Sequence, residues 1–568
     1  MAFRNLVRRK TMKTRLATLI LPLAAGLACA DASRDDSSPG AVELAALDAV
    51  FADYSASDGP GCAFAVSRDG QQVMARAYGM ADLEWHIPNT PETVFEPGSV
   101  SKQFTAAATI LLALDGRIDL DDDIREYFPE MPDYGEAVTV RMLIHHTSGL
   151  RDWGSVAAIQ GWPRWSRVHS HKHALDIASR QRALNYEPGR YYSYTNTGYN
   201  LQAMLIERVT GQTFDEFSQE RIFRPLGMTK TQSRDDFTEI VDERSIGYRR
   251  GEDGEWHMLM PFENVHGNGG LLTTVGDLLR FTHNLDTGEV GGPEFVRLMH
   301  EEGTLDSGWK TGYAGGLRVG EYKGVREVSH GGSTAAYRAF LTRYPDHGVA
   351  VSLMCNVAEA DSRGLVRQVA ELYLADAMAE EPRADATGVD VDPADVAAFA
   401  GGYRDTRTGQ YLELTADGSS LLMGGGPGGP PLAATSETGF ASATGVSIAF
   451  EGPASAGERP PGVMDMPAAD GVRIEPVGPF EPTATDLAAY VGAYRSDEAE
   501  VTYWFEVEDG RLMFRDRYGD GAALEPLYPD AFSQESRTFI FRRDETGRVS
   551  QASLSEGRVW DLRFERVE

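Results

Sequence analysis

Residues 95–106 read FEPGSVSKQFTA and contain the pattern Ser-x-x-Lys, with Ser99 and Lys102 about one helical turn apart. The residues that follow, as far as Gly116, are apolar on most faces, which predicts a buried central helix that begins near Ser99. A hydroxyl and an amine at this spacing project from one face of a helix. The free backbone N–H groups at its N-terminus can bind a developing oxyanion. This stretch therefore predicts an activated serine nucleophile.

Lysine is rare in this chain, and its presence at position 102 supports a chemical role. The sequence contains seven lysines and forty-seven arginines. Arginine keeps its proton, whereas a lysine can release one where its surroundings favour the neutral amine. A lysine beside Ser99 is therefore a candidate base.

Two further segments supply groups that such a serine would need. Tyr194 and Asn196, in the run YYSYTNTGYN, place a phenol and a carboxamide two residues apart in what we predict to be an extended loop. The phenol can shuttle a proton, and the carboxamide can hold the lysine and a substrate carbonyl. His330 begins the run HGGS, in which Gly332 and Ser333 would let a substrate lie close along a strand edge.

The chain also contains competing copies of these patterns. Ser307 and Lys310 form a second Ser-x-x-Lys, and residues 310–312 are a literal K-T-G. We reject the K-T-G as the third motif because paired strands do not follow it, whereas a hairpin is predicted over residues 337–355, directly after His330. Lys310 is therefore interpreted as a surface residue. A second hairpin is predicted over residues 62–78, around an Asp-Gly turn.

The order and spacing of these pieces resemble the serine β-lactamase and penicillin-binding-protein family. Connecting segments resemble its class C branch, among them LIHHTSGLRDW (143–153), YEPGRYYSYTNTGYNLQAMLIERVTG (186–211), PLGMTKT (225–231) and GNGGLLTTVGDLLRF (267–281). The resemblance covers about residues 43–380. It implies an α+β fold in which an antiparallel sheet flanked by helices and an all-helical lobe enclose the site.

The resemblance also implies functional residues at the matching positions, which are Ser99, Lys102, Tyr194, Asn196, His330, Gly332 and Ser333. Ser99 would form an acyl-enzyme, and Lys102 and Tyr194 would share the role of base. The oxyanion hole would be the backbone N–H groups of Ser99 and Ser333. Which of Lys102 and Tyr194 takes the first proton stays open at this point.

One matching position departs from the β-lactamase pattern. Where that branch has Lys-Thr-Gly, this chain has a largely neutral imidazole at His330 and no side chain at Gly331. Capture of a substrate carboxylate there is expected to be weaker by about one to two decades. We expect amino-acid amides and simple esters to be preferred over D-Ala-D-Ala peptides and penicillins, unless an arginine such as Arg338 substitutes.

The C-terminal part contains an internal repeat. Residues 395–404 read DVAAFAGGYR and residues 486–495 read DLAAYVGAYR, 91 residues apart. Each copy continues into short alternating strands broken by Gly, Asp and Pro, which predicts two small antiparallel β-barrels. With these barrels the chain resembles the three-domain D-aminopeptidases. The alternatives are a carboxylesterase, a DD-carboxypeptidase, a β-lactamase, or a non-enzymatic cell-wall binding or sensor protein.

The N-terminal residues are typical of a secretory signal. Six cations and no acid are followed by an apolar run over residues 16–27 and then by small residues that include Cys29. The apolar run is too short to span a bilayer. Export to the periplasm or the medium is therefore expected, with lipoprotein anchoring through Cys29 as an alternative.

The predicted segments follow from these patterns. They are a signal peptide (1–30), a linker (31–42), a β-lactamase-related serine hydrolase domain (43–382), a second linker (383–392), the first β-barrel (393–480) and the second β-barrel (481–568).

Charge and composition limit the partners. Removal of the signal would change the formal charge from −31 to −37, which disfavours nucleic acid and anionic lipid surfaces. The expected partner is a small-molecule or peptide substrate, and the oligomeric state is not predicted. His169, His171 and His173 alternate as strand ligands would, but no carboxylate completes the set, so we expect no metal and no cofactor. Cys62 and Cys355 are either two buried thiols or a disulfide.

Overall fold

The computed structural model describes residues 44–379, 389, 391–424, 431–442, 445–453, 458–466, 469–519 and 521–567. The predicted signal peptide, the first linker and most of the second linker lie outside these residues.

The helices of the described part of the chain are α1 (Leu44–Val50), α2 (Lys102–Leu114), α3 (Val140–His145), α4 (Trp153–Ile159), α5 (His171–Ser179), α6 (Asn196–Thr210), α7 (Phe214–Ser218), α8 (Val275–Thr287), α9 (Gly292–Met299), α10 (Ser362–Leu374), α11 (Pro393–Ala397) and α12 (Ala484–Tyr490).

The strands that precede the repeat are β1 (Cys62–Arg68), β2 (Gln71–Tyr78), β3 (Met80–Asp82), β4 (Ile87–Pro88), β5 (Gln232–Ser233), β6 (Tyr248–Arg250), β7 (Trp256–Met258), β8 (Leu271–Leu272), β9 (Arg318–Tyr322), β10 (Val325–Thr334), β11 (Tyr337–Tyr344) and β12 (Val349–Cys355).

The strands of the first repeat are β13 (Gly401–Asp405), β14 (Tyr411–Asp417), β15 (Ser420–Met423), β16 (Pro431–Ala434), β17 (Gly439–Ala441), β18 (Ser447–Phe450), β19 (Gly462–Met466) and β20 (Ala469–Pro476). Those of the second are β21 (Gly492–Ser496), β22 (Val501–Glu508), β23 (Arg511–Arg515), β24 (Gly521–Ala523), β25 (Glu525–Tyr528), β26 (Ala531–Gln534), β27 (Arg537–Arg543), β28 (Val549–Glu556) and β29 (Val559–Val567).

A six-stranded antiparallel sheet forms one layer of the first domain, in the order β2-β1-β12-β11-β10-β9. Strand β12, VAVSLMC, is buried at every position because α8 and α10 pack against it. Strand β1 pairs with β12 so that Cys62 lies opposite Cys355, and their sulfur atoms form a disulfide. Of the two alternatives for these cysteines, the structure therefore has the disulfide.

Helix α2 is the buried centre of the helical lobe. Its residues 102–112 are all buried, and it packs against α6 and α9. A 3₁₀ turn over Gly98–Ser101 precedes it, so Ser99 lies in this turn and the α-helix begins at Lys102. Gly98 adopts φ +53°, which a residue with a side chain rarely does, and this lets the chain turn sharply into the helix.

The two repeats form two antiparallel barrels. Strands β13 to β20 close into a barrel, and β21 to β29 form a nine-stranded sheet that is nearly closed. The repeated tyrosine makes the same hydrogen bond in each copy: Tyr403 donates to the carbonyl of Phe399, and Tyr494 donates to that of Tyr490, both at 3.0 Å. The predicted fold class, an α+β β-lactamase-like domain followed by two small barrels, is confirmed.

The second barrel shares its hydrophobic core with the helical lobe. Its Tyr503 and Phe505 belong to one buried cluster with Trp153, Val156 and Ile177 of α4 and α5. A buried ion pair of 2.5 Å between Arg151 and Glu498 lies at the same contact. The barrel is therefore an integral part of the structure around the helical lobe.

None of the helices in the described part of the chain combines the length and the apolar composition needed to cross a membrane.

Candidate active site

Lys102 lies beside Ser99 in the buried end of α2. Its Nζ is 3.3 Å from Ser99 Oγ, 2.8 Å from Asn196 Oδ1 and 2.9 Å from the backbone carbonyl of Asn268. The lysine side chain is fully buried, whereas Ser99 is half-buried and lines a cavity. Two of the predicted site residues, Ser99 and Asn196, thus lie around the amine of a third, Lys102.

Asn268 is a site residue that the sequence analysis missed. Its carbonyl faces Lys102, and its side chain accepts a hydrogen bond from Asn200 at 2.6 Å. Thr105 donates to the neighbouring carbonyl of Gly267 at 2.7 Å. The loop is thereby held against α2 and α6 by contacts that span long separations in sequence, and no local pattern signals them.

The surroundings of Lys102 favour its neutral form. Burial lowers the pKa of Lys102 well below its usual value, and the positive charges of Arg558 and Arg164 lower it further. A neutral amine has two N–H donors and one lone pair. The two acceptors, Asn196 Oδ1 and the Asn268 carbonyl, can take both donors, which leaves the lone pair for the Ser99 hydroxyl.

Tyr194 is held beside the same amine by a cluster of aromatic rings. Lys102 Nζ is 4.9 Å from the centre of the Tyr194 ring, and the imidazole of His146 packs against that ring at 4.3 Å. Burial raises the pKa of Tyr194, while a hydrogen bond to Ser99 opposes the rise. The phenol therefore keeps its proton at neutral pH and can donate it.

Asn196 does not lie in an extended loop, as the sequence analysis predicted, but is the first residue of α6. The Thr195 side chain caps this helix by accepting the N–H of Thr197. The N–H of Asn196 donates to the buried carboxylate of Asp152 at 2.7 Å. These two acceptors start the helix directly after Thr195 and fix the carboxamide toward Lys102.

Gly332 and Ser333 lie on β10 against the turn that carries Ser99. A Cβ atom on Gly332 would lie 1.8 Å from the carbonyl oxygen of Pro97 and 3.1 Å from the nitrogen of Ser99. A side chain at position 332 would therefore force the strand away from the nucleophile. The close approach places the backbone of Ser333 beside that of Ser99, where both N–H groups can serve one oxyanion.

His330 lies beneath the site and is fully satisfied by internal contacts. Its Nδ1 is 2.6 Å from the carbonyl of Gly331, and its Nε2 is 3.0 Å from the hydroxyl of Tyr313. Burial lowers the pKa of His330 to about 3. His330 is thus a neutral ring that donates from Nδ1 and accepts from Tyr313.

The competing motif lies elsewhere. Ser307 and Lys310 are both exposed on the loop between α9 and β9, and Ser307 accepts the backbone N–H of Trp309 within a turn. Arg338, which we considered as a substitute carboxylate-binding residue, donates to the carbonyl of Ala335, in the turn before β11, and to that of Tyr337. None of these three side chains joins the group around Ser99.

Arg558 of the second barrel is another site residue that the sequence analysis missed. Gly557 and Arg558 form the turn between β28 and β29, and Arg558 lines a cavity of about 160 Å³ together with Ser99, Asn196 and Ser333. Its guanidinium lies over the Tyr194 ring, 4.7 Å from the ring centre. The fold of the second barrel determines the position of Arg558, so no sequence motif around Ser99 indicates it.

A cleft of about 380 Å³ adjoins this cavity. The two share Arg164, Glu263, Ser333 and Thr334, and the cleft has apolar walls formed by Trp165, Leu259, Met260, Pro261 and Phe262. An apolar group of a substrate could therefore lie beside the nucleophile.

The alternating histidines do not act together. His169 contacts the carbonyl of Trp162, whereas His171 lies with Glu207 and His266, whose ligand atoms are all within 4.8 Å of one another and could hold a metal ion. His171 already accepts the N–H of His266 at 3.2 Å, and Glu207 pairs with the His266 ring at 3.5 Å. The carboxylate that completes this set comes from α6, which sequence spacing could not show.

Comparisons with known proteins identify the family of the chain. The sequence profile of the family described as Beta-lactamase matches residues 47–375. A D-aminopeptidase from Brucella anthropi is 26% identical over 530 residues, covering 90% of this chain and 96% of that protein. A D-aminopeptidase from Cereibacter sphaeroides strain KD131 is 27% identical over 486 residues, covering 84% and 88%.

A solved structure is similar in fold. The octameric penicillin-binding protein homologue from Pyrococcus abyssi aligns with a TM-score of 0.53 at 21% identity, covering 83% of this chain and 98% of that one. The profile match extends over more than half of the sequence, and the chain therefore belongs to the beta-lactamase family and is a serine hydrolase.

Proposed function

We propose that this chain is an exported acyl hydrolase that cleaves amide or peptide bonds through an acyl-enzyme on Ser99, in the manner of a D-aminopeptidase. The observation that carries the proposal is the buried Lys102 amine, which has two fixed acceptors and lies 3.3 Å from Ser99 Oγ.

In the first step Lys102 acts as the base. The lone pair of its neutral amine takes the proton of Ser99 as Oγ attacks the substrate carbonyl carbon. The carbonyl oxygen becomes negative and is bound by the backbone N–H groups of Ser99 and Ser333. The lowered pKa of Lys102 and the raised pKa of Tyr194 favour the lysine over the phenol as the first base.

In the second step Tyr194 passes a proton to the leaving nitrogen. Its raised pKa keeps the hydroxyl protonated, so it can donate this proton while the proton on Lys102 replaces the one it loses. The C–N bond breaks and the acyl group stays on Ser99. A water molecule, deprotonated by the same groups, then hydrolyses the ester and restores the serine.

The relatives support an amide or peptide substrate. D-aminopeptidases match this chain over most of both lengths. The neutral His330 in place of a lysine supports the same choice, since it offers no cation to a substrate carboxylate at that position. An esterase using the same residues is the alternative.

Export is supported by two independent features. The first thirty residues have the composition of a secretory signal, and a disulfide joins Cys62 and Cys355. Structural disulfides persist in oxidising compartments. Fractionation of cells that express the full sequence, followed by N-terminal sequencing, tests this part of the proposal.

A substrate panel tests the reaction. It contains D-amino-acid p-nitroanilides and their L-forms, D-Ala-D-Ala peptides, short p-nitrophenyl esters and nitrocefin, and intact-mass measurement after rapid quenching reports the acyl-enzyme. We expect turnover of D-amides with an acyl adduct on Ser99. Turnover of esters alone would replace the proposed amidase by an esterase, and no adduct with any substrate would refute the acyl-enzyme.

A further inference from the structure

The turn between β28 and β29 brings a cation into the wall of the active-site cavity. Arg558 lines the cavity beside Ser99 and Ser333, and 42% of its side chain is exposed. Two contacts fix the turn to the helical lobe: Asn185 donates to the carbonyl of Arg558 at 3.0 Å and accepts the N–H of Trp560 at 2.8 Å. The guanidinium is therefore presented at a defined place.

Arg558 has one charged protein partner, the buried carboxylate of Asp152, which does not take its N–H donors. The nearest carboxylate oxygen, on Asp152, is 3.6 Å away, which is longer than a hydrogen bond. That carboxylate is only 4% exposed and already accepts the N–H groups of Ser155 and Asn196. Within the described part of the chain, the guanidinium of Arg558 donates no hydrogen bond, so its donors are available to a ligand.

In the other ion pair of the cavity the carboxylate is likewise less exposed than the arginine. Arg164 forms an ion pair with Glu263, but the carboxylate is the more deeply buried partner, with 12% of its side chain exposed against 31% for Arg164. Glu263 lines the cavity together with Arg164, whereas the carboxylate of Asp152 is only 4% exposed. A ligand in the cavity therefore meets one guanidinium whose donors are not taken by a protein carboxylate, that of Arg558, and such a group suits a carboxylate.

We propose that Arg558 binds a carboxylate of the substrate, so that an amide substrate with a carboxylate at this place is preferred over its neutral analogue. This inference rests on the proposed function and sharpens it. It places carboxylate recognition on the turn of the second barrel and not on the strand at His330, where only weak capture was expected. The adjoining apolar cleft would take a large side chain of the same substrate.

Matched substrates test whether the recognised carboxylate lies on the acyl part or on the leaving group of the substrate. On the acyl side, N-succinyl-D-Phe, N-acetyl-D-Phe and D-Phe p-nitroanilides differ in charge at one end. On the leaving-group side, the 3-carboxy-4-nitroanilide of N-acetyl-D-Phe is compared with its 4-nitroanilide. We expect one of the two carboxylates to raise kcat/KM by about tenfold to a hundredfold, which is the range of a charge-assisted hydrogen bond.

The variant Arg558→Gln assigns the effect to the residue. It should lose this preference, so that kcat/KM falls about tenfold to a hundredfold further for the carboxylated substrate than for its neutral analogue. Arg563→Gln is the matched control, since Arg563 is an exposed arginine of the same barrel that pairs with Asp561. Equal losses for charged and neutral substrates in Arg558→Gln would overturn the proposal, as would equal kcat/KM of the parent for each carboxylated substrate and its neutral analogue.

A binding measurement separates this inference from the reaction. Calorimetry on Ser99→Ala compares N-succinyl-D-Phe amide with N-acetyl-D-Phe amide, with and without Arg558→Gln, and needs no turnover. Tighter binding of the anion that depends on Arg558 would support the site even if amide hydrolysis failed. The inference would be refuted if the succinyl and acetyl amides bound equally and the 3-carboxy-4-nitroanilide of N-acetyl-D-Phe bound no more tightly than its 4-nitroanilide. That result would not affect the proposed acyl-enzyme.

Discussion

The pattern Ser-x-x-Lys occurs twice in this protein, and the two copies differ in almost every physical respect. Ser99 lies in a turn that leads into a buried helix, and Lys102 is completely buried among fixed acceptors. Ser307 caps a surface turn, and Lys310 is exposed on the same loop.

The difference shows what turns the pattern into chemistry. An exposed ammonium is stabilised by water and stays charged, whereas a buried amine loses that stabilisation and can act as a base. The serine also needs an adjacent backbone donor pair, which Gly332 permits at position 99 by its close approach to Pro97. Spacing supplies the two residue types, and burial and packing decide their reactivity.

The largest expected effect separates the two serines. Ser99→Ala should lower kcat by about 10⁴-fold or more and abolish labelling by a fluorophosphonate, because the nucleophile is removed. Ser307→Ala should retain parent kinetics and labelling. Thermal unfolding of both variants checks that each is folded. An active Ser99→Ala, or an inactive Ser307→Ala, would reverse the assignment of the two motifs.

A smaller effect is expected at the two lysines. Lys102→Arg keeps a cation but cannot release a proton, so kcat should fall by about 10²-fold to 10⁴-fold, nearly as far as in Lys102→Ala. Lys310→Arg should leave kcat unchanged. Steady-state kinetics on the best substrate of the panel measures both. If Lys102→Arg kept most of the activity, Lys102 would act through its charge and Tyr194 would be the base.

The smallest effect concerns stability and its dependence on pH. The folded pKa of Lys102 is lowered, so between that pKa and about 10.4 the unfolded chain holds a proton that the folded chain lacks. The free energy of unfolding therefore rises with pH in this window. Relative to Lys102→Met, the parent should gain up to about 1.4 kcal/mol per pH unit.

Urea unfolding at pH 7.5, 8.5 and 9.5 measures this slope. Lys310→Met is the control, since Lys310 is exposed, and its curve should stay parallel to that of the parent. A parent curve parallel to that of Lys102→Met would mean that Lys102 is protonated in the folded protein.

Local sequence patterns predicted much of the frame. The hairpins predicted over residues 62–78 and 337–355 are present as β1-β2 and β11-β12, because alternating apolar residues around a tight turn determine a hairpin from neighbouring residues alone. The sequence motifs also named residues that the fold brings together around Lys102. These residues could be predicted from the sequence because the motif order resembles that of a known family.

The missed residues share a physical reason. Asn268 acts through a backbone carbonyl, for which any residue type would serve, so its identity carries no signal. Asp152 acts by capping α4 and holding the start of α6, which depends on how two helices pack. Arg558 depends on how a whole barrel docks on the helical lobe, a contact determined by a shared core and not by local spacing.

The docking of the second barrel has a consequence for biosynthesis. Ribosomes make proteins from the N-terminus, and domains generally fold as units in that order. Helices α4 and α5 are therefore made long before Tyr503 and Phe505, the barrel residues that share their core. The wall of the cavity that contains Arg558 comes from a turn that is synthesised 459 residues after Ser99, so the nucleophile is made before its pocket is complete.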